Sequence, residues 1–292
     1  MTPTIVPPAG FATALASASQ ISLSAYVLNS GSGIVRALEA CGDRGARVSV
    51  RLEGAPYTGG ASGHATAIRN LRAAAELERH GVEVKVAGPA EIGLHMKAAL
   101  VDGTAYLDDR NWPSSGADTI VATSDPGDVA VVEAAFAGTP SSDGRLATEK
   151  RAALALEGRA ISEGSGDRVD VETESFGYCA VSKALFERAR AGARVRLLVT
   201  QREYASGGRT ERASLARLAA AGVSIRVVAS DEKLCVAGDR GWAGSANATY
   251  EPAPTLDWGM ALCDPVALRI VGANFERNWS AGRPVRPDRP TL

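Results

Sequence analysis

Gly93-Leu94-His95-Met96-Lys97-Ala98-Ala99-Leu100-Val101-Asp102 is an apolar run that carries a histidine and a lysine two positions apart. Read as a strand, it places His95 and Lys97 on one face, because strand side chains alternate with period two. One face then holds an imidazole and an ammonium. Asp102 falls on the opposite face and is expected to brace structure rather than to meet a substrate.

A second stretch further along repeats part of this pattern. Asp231-Glu232-Lys233-Leu234-Cys235-Val236-Ala237-Gly238, continued by Gly244-Ser245-Ala246-Asn247, keeps the spacing from Lys97 to Asn111 but has no histidine. Arginine dominates the 32 basic residues, and only Lys85, Lys97, Lys150, Lys183 and Lys233 are lysine. Two of these five stand at matched places, which points to a need for a compact ammonium there.

The segments around the two stretches repeat as well. Gly45-Ala46-Arg47-Val48 returns as Gly192-Ala193-Arg194-Val195, and Tyr57 and Tyr204 each stand just ahead of a Gly-Gly pair. Gly81-Val82-Glu83-Val84-Lys85-Val86 returns as Gly222-Val223-Ser224-Ile225-Arg226-Val227. Asp118 and Asp125-Pro126 match Asp257 and Asp264-Pro265 at equal internal spacing. Matched landmarks in one order indicate a duplicated domain.

Within the first half, residues 21–27, 47–52 and 82–86 alternate as strands. Residues 33–41 and 65–80 have helical periodicity ended by glycine, and residues 53–63 read as a loop. Strands alternating with helices specify an α/β layer structure. The turn-rich residues 138–144 separate the halves, and the expected domains are 1–143 and 144–292. Residues 146–161 read as a helix-like run, 168–172 as a strand, and the Pro-bearing tail 281–292 as an extended arm.

Composition excludes some classes. The 292 residues allow two domains with a buried core. A 45% hydrophobic content, a net charge of −1 and a pI of about 6.4 describe a globular protein rather than a general nucleic-acid coat. The N-terminus lacks the charged segment of a signal peptide, and no stretch has the length of a membrane span. Cys41, Cys179, Cys235 and Cys263 have no paired spacing and read as free thiols, which fits a cytoplasmic protein.

His95-x-Lys97-x4-Asp102 with Asn111 beyond it resembles the signature of the phospholipase D superfamily, His-x-Lys-x4-Asp followed by Gly-Ser-x-Asn. The duplication extends the resemblance over nearly the whole chain. It implies two α/β/α sandwich halves about a pseudo-twofold axis, with the site between them and a monomer able to supply both. The implied chemistry is metal-independent and cofactor-free: phosphodiester hydrolysis or phosphatidyl or phosphoryl transfer through a phosphohistidine. By position His95 is the nucleophile, and Lys97, Lys233, Asn111 and Asn247 hold the phosphate, with Ser245 adding a hydroxyl. Asp118 is the expected carboxylate behind His95, fixing its tautomer.

The departures are specific. Asp231 stands where the second histidine belongs, Gly238 replaces the second aspartate, and Asp108-Asp109 replace the first Gly-Ser. A carboxyl titrating near ~3.9 donates protons poorly unless burial or a like charge raises it. Asp257 is the expected like charge, which makes Asp231 a candidate acid. Two readings stay open: a phosphodiesterase or transferase using His95 and Asp231, and a catalytically silent protein that binds a phosphorylated ligand or a protein partner. The substrate is open among a lipid headgroup, a nucleic acid and a small diester. Elsewhere, His64 reads as a loop residue, His80 as a helix-end residue, and Trp112 and Trp242 as packing beneath the motif strands.

Overall fold

Short apolar runs punctuated by Gly and Pro become, in the computed structural model, a regular succession of strands and helices. The structure describes residues 2–56, 60–112, 119–250 and 252–285. In chain order the elements are β1 (Thr4–Val6), α1 (Pro8–Ser17), β2 (Gln20–Ala25), α2 (Gly33–Asp43), β3 (Arg47–Glu53), α3 (Gly60–Glu78), β4 (Glu83–Ala87), β5 (Gly93–Leu94), β6 (Ala98–Val101), β7 (Thr104–Asp108), β8 (Ile120–Thr123), α4 (Pro126–Phe136) and β9 (Leu146–Ala147). There follow α5 (Lys150–Glu163), β10 (Arg168–Thr173), α6 (Ala180–Arg190), β11 (Arg194–Thr200), α7 (Gln201–Ser206), α8 (Arg209–Ala220), β12 (Ser224–Val228), β13 (Leu234–Ala237), β14 (Arg240–Gly244), β15 (Thr255–Leu256), β16 (Gly259–Leu262), α9 (Pro265–Ala281) and β17 (Arg283–Pro284).

These elements form two units, Met1–Lys150 with Ala253–Trp258, and Arg151–Pro252 with Gly259–Leu292. The chain thus leaves the first unit at the start of α5 rather than at Asp143. The turn around Asp143 is closed within the first unit: its carboxylate accepts from Arg145 N at 2.9 Å and Leu146 N at 2.8 Å, and Ser142 bridges Ala147. Residues 253–258 belong to the first unit because β15 pairs in parallel with β5.

In the first unit the sheet runs β1-β8-β7-β6-β2-β3-β4, with β2, β3 and β4 parallel and the other neighbours antiparallel. Phe11 and Leu15 of α1, Leu38 of α2 and Leu77 of α3 close a core over Ile21, Leu23 and Leu52 of the strands. In the second unit the order is β17-β12-β11-β10-β13-β14-β16, again with three parallel strands, β10, β11 and β12. Apart from the edge strands the two orders are the same. The register agrees too, Ser24 lying opposite Ala98 and Glu172 opposite Leu234. Tyr26 and Glu174, each the first residue after its strand, therefore occupy matching positions.

The matched dipeptides are helix starts. Asp125 accepts from Gly127 N and Asp264 from Val266 N and Ala267 N, with proline in the first turn of α4 and α9. In the second unit, α9 buries Val271 and Phe275 and sets Arg196 4.8 Å from the ring centroids of both Phe275 and Trp279.

The motif aspartate explains itself through the turn it makes. Asp102 and Gly103 have φ of 46° and 81°, an Asp-Gly hairpin turn between β6 and β7. The Asp102 carboxylate accepts from Gln20 N at 2.9 Å and Ser19 Oγ at 2.9 Å, the bracing role expected of it. In the second unit Gly238 keeps the positive φ, at 62°. A Cβ there would lie 1.7 Å from Ser165 O, so glycine is required, and Asp239 takes over the brace by accepting from Ser165 N at 2.9 Å. The replacement is a one-residue shift of the same device.

Two local expectations change. α3 begins at Gly60, so His64 is an exposed helical residue rather than a loop residue, because no proline follows Gly60 to delay the helix. The run from Leu146 opens with the short strand β9, and its helix starts only at Lys150. Trp112 packs as expected, 4.6 Å from the Phe11 ring with Nε1 donating to Ser24 O at 3.1 Å, and Trp242 is fully buried. Of the tail, Arg283–Pro284 pairs with β12, and residues 286–292 lie outside the described residues.

Candidate active site

His95, Met96 and Lys97 lie between β5 and β6, so the single strand expected across the motif is broken at the motif itself. The cause is a change of partner. Gly93 and Leu94 pair with Thr255 and Leu256, and His95 N continues the ladder by donating to Leu256 O at 2.8 Å. The chain then joins the main sheet at Ala98, and Ser24 Oγ holds Met96 O at 3.1 Å. Despite the break the two side chains meet: Lys97 Nζ lies 3.0 Å from His95 Nε2.

The other ring nitrogen meets a carboxylate. Asp257 Oδ1 is 2.6 Å from His95 Nδ1, and Thr255 Oγ1 donates to Asp257 Oδ2 at 3.0 Å. All three charged or polar groups are buried, His95 at 6% exposure and Lys97 and Asp257 at 1% each, so water screens little of their interaction. Tyr26 closes one side, its ring centroid 5.0 Å from that of His95 and 5.7 Å from Lys97 Nζ.

Burial by itself would raise the Asp257 carboxyl. The His95 charge and hydrogen bond, with the charges of Lys97 and Lys150, outweigh that and hold it well below the ordinary carboxylate range. An ionised Asp257 can only accept, so Nδ1 carries the proton. Lys97 can only donate, so Nε2 presents its lone pair. The geometry thus keeps the Asp257-facing proton on Nδ1 in either charge state of the ring and leaves Nε2 as the nitrogen with a free lone pair when the ring is neutral.

Asp257 is a carboxylate found on His95; Asp118, the one expected there, lies outside the described residues. The partner the structure shows for Asp257, expected as a like charge for Asp231, is thus His95. The pairing of β15 with β5 carries Asp257 to His95 within the first unit. Asp118 and Asp257 are matched positions in the repeat, so the spacing alone could not say which of them serves the single histidine.

The loop that bears the motif is anchored by residues the sequence did not single out. Glu53, at the end of β3, accepts from Leu94 N and Ala55 N at 2.6 Å each. Asn70 of α3, fully buried, accepts from Leu28 N at 2.8 Å and donates to Tyr26 O at 2.8 Å and Glu53 O at 2.7 Å. Asn70→Ala leaves one donor and two acceptors without this partner. It should destabilise the protein by about 3 kcal/mol or more, read as a lower urea midpoint, whereas a loss under ~1 kcal/mol would show the amide to be dispensable.

In the second unit the structure brings together Lys233, Asn247 and an unforeseen carboxylate, Glu174. Lys233 Nζ is 3.5 Å from Glu174 Oε2, Asn247 Nδ2 donates to the same oxygen at 3.3 Å, and Arg202 Nη2 donates to Glu174 Oε1. Lys233 also donates to the backbone oxygen of Asp231 at 2.9 Å. Asp231 itself is half-buried and Ser245 fully buried. The available signal for Glu174 was its place after β10, matching Tyr26 after β2.

Of the remaining candidates, Asn111 is half-buried beyond β7, with its Oδ1 atom buried. Asp108 and Asp109 are fully buried. Asp108 is built into the frame, its carboxylate accepting from Arg110 N at 3.0 Å and its carbonyl from Trp258 Nε1 at 2.8 Å. Among the described residues, no group of three or more His, Cys, Asp or Glu side chains could hold a metal ion, and no helix is long and apolar enough to cross a membrane.

No protein-family model matches the sequence, and no curated protein matches it. Solved structures do. Polyphosphate kinase from Porphyromonas gingivalis is similar over 98% of this chain at 16% identity with a TM-score of 0.66, and the match covers 48% of the kinase, so this chain spans about half its length. Phosphatidylserine synthase from Haemophilus influenzae Rd KW20 is similar over 98% of this chain and 88% of its own, at 9% identity and a TM-score of 0.65. Nuc, a phospholipase D family member from Salmonella typhimurium, matches 49% of this chain and 97% of its own at 18% identity and a TM-score of 0.42. Identities this low speak to fold, and the two full-chain likenesses agree with the repeated strand order and register. The chain has a duplicated α/β fold, the fold of polyphosphate kinase from Porphyromonas gingivalis and phosphatidylserine synthase from Haemophilus influenzae over nearly its whole length.

Proposed function

We propose that this protein hydrolyses or transfers phosphodiesters through a covalent phosphohistidine on His95. The observation that supports this reading is the buried line Asp257–His95–Lys97, with 2.6 Å on one side of the ring and 3.0 Å on the other. A carboxylate behind an imidazole and a cation at its free nitrogen form an oriented nucleophile beside an anion holder.

The steps follow from the atoms. An entering phosphate takes the Lys97 ammonium onto a non-bridging oxygen, which releases the Nε2 lone pair. Nε2 attacks phosphorus, the P–N bond forms as the bond to the leaving oxygen breaks, and the leaving group departs as an anion. Asp257 stabilises the imidazolium so created. Water or an alcohol then attacks phosphorus, loses its proton to solvent, and the P–N bond breaks to restore neutral His95. Substrates whose leaving group is stable as an anion need no proton donor in the first step.

The test uses bis(4-nitrophenyl) phosphate for turnover and phosphorus-labelled diesters of lipid, dinucleotide and small-alcohol type for trapping. Protein denatured during turnover should carry label that survives alkali and is lost in acid. Absence of label with all of them would overturn the reading.

A catalytically silent member that binds a phosphorylated ligand has one observation in its favour: Lys233 and Asn247 are already engaged by Glu174. That reading expects no label, together with phosphate binding weakened by Lys97→Met.

A further inference from the structure

In the second repeat, an ammonium, a carboxamide N–H and a guanidinium converge on one carboxylate. Lys233 and Asn247 share Glu174 Oε2, and Arg202 takes Glu174 Oε1. Lys233 is buried at 2% exposure, so its charge needs an anion close by. In the first repeat the matching position is Tyr26, which offers a ring face to Lys97 and a T-shaped contact to His95 instead of a charge. The two repeats therefore differ at this place by one negative charge set on the lysine.

We infer that Glu174 is the chain's own occupant of the anion cradle in the second repeat, holding Lys233 and Asn247 on a carboxylate oxygen where a phosphate oxygen would otherwise sit. This rests on the reading of Lys233 and Asn247 as phosphate holders. A tethered carboxylate competes at an effective concentration in the millimolar range or above, so free phosphate is excluded at ordinary concentrations. The neighbouring cavity, about 490 Å³ and lined by Thr200, Gln201, Arg202, Val228 and Asp231, opens at the C-terminal ends of β11 and β12 and brings solvent to Arg202. An anion that enters this cavity meets Arg202, the residue that holds Glu174 Oε1. Until Glu174 is neutralised the second repeat is closed to phosphate by its own side chain, a self-inhibiting contact.

The experiment measures binding of inorganic phosphate by calorimetry to the full-length chain and to Glu174→Gln, Glu174→Tyr and Glu174→Gln with Lys233→Met. Gln keeps the size of the side chain, and Tyr restores the residue of the first repeat, so a fold weakened by one leaves the other to be read. Glu174→Gln and Glu174→Tyr should bind phosphate at least about tenfold tighter than the unaltered chain. Adding Lys233→Met should remove the gain. Equal affinities with and without Glu174, or a gain that survives Lys233→Met, would overturn the inference. Phosphate binding needs no turnover, so this result is independent of whether His95 takes a label.

Discussion

Turnover of a phosphodiester is expected to fall to background, a loss on the order of a thousandfold or more, when His95 is replaced by Ala or Gln. In the proposed mechanism the ring supplies the attacking atom, and neither of the two other histidines in the chain stands in its place. His64 is exposed on α3, and His80, just beyond that helix, bonds Asp43 at 3.0 Å. His95→Ala also removes the 2.6 Å hydrogen bond to the buried Asp257, which weakens folding and adds to any loss of rate. His95→Gln separates the two effects, since its amide can still donate to Asp257 Oδ1 but cannot attack phosphorus. The Gln variant should unfold near the midpoint of the unaltered protein and show no turnover. A Gln variant that retained a tenth of the rate would mean that His95 does not form the covalent bond.

Asp257→Asn should slow turnover by about a hundredfold to ten-thousandfold while leaving His95 in place. An amide at this position can donate as well as accept, so it no longer dictates which ring nitrogen carries the proton, and it does not stabilise the imidazolium. The same substitution has a signature in stability. The folded carboxyl titrates below its unfolded value because the His95 charge and hydrogen bond, with Lys97 and Lys150, outweigh burial. Its stabilising contribution is therefore fully present above the unfolded value near ~3.9 and is lost as pH falls through the lower folded value. Urea unfolding across that range should show the unaltered protein losing its advantage over Asp257→Asn in acid. A gap between the two that stayed constant from neutral pH to acid would show that Asp257 is not held ionised by this site.

Much of this was legible in the chain. Period two brought His95 and Lys97 to one side, and they do meet, although through a break in the strand that only the pairing of β5 with β15 explains. The repeat was legible from paired landmarks, and Asp125-Pro126 and Asp264-Pro265 turned out to be the same helix start used twice. What the chain hid was connectivity in space. Asp118 and Asp257 are equivalent by spacing, and finding Asp257 on His95 required knowing that residues 253–258 join the first unit.

Two further features were hidden because conformation rather than residue identity is what persists. Gly238 looked like a lost aspartate, yet it keeps the positive φ while Asp239 keeps the hydrogen bond to the preceding segment. Glu174 belongs to no motif; only the matched register of β2 and β10 against their neighbours makes it the counterpart of Tyr26.

The most direct measurement is the atom to which phosphorus is bound. Protein with nitrogen-15 histidine, trapped during turnover of a slow diester and held in alkali, can be read by nitrogen–phosphorus coupling. Phosphorus on Nε2 of His95, the atom facing Lys97, is the expected result. Phosphorus on Nδ1, which Asp257 covers, on another residue, or on none would contradict a nucleophile set by Asp257 and Lys97.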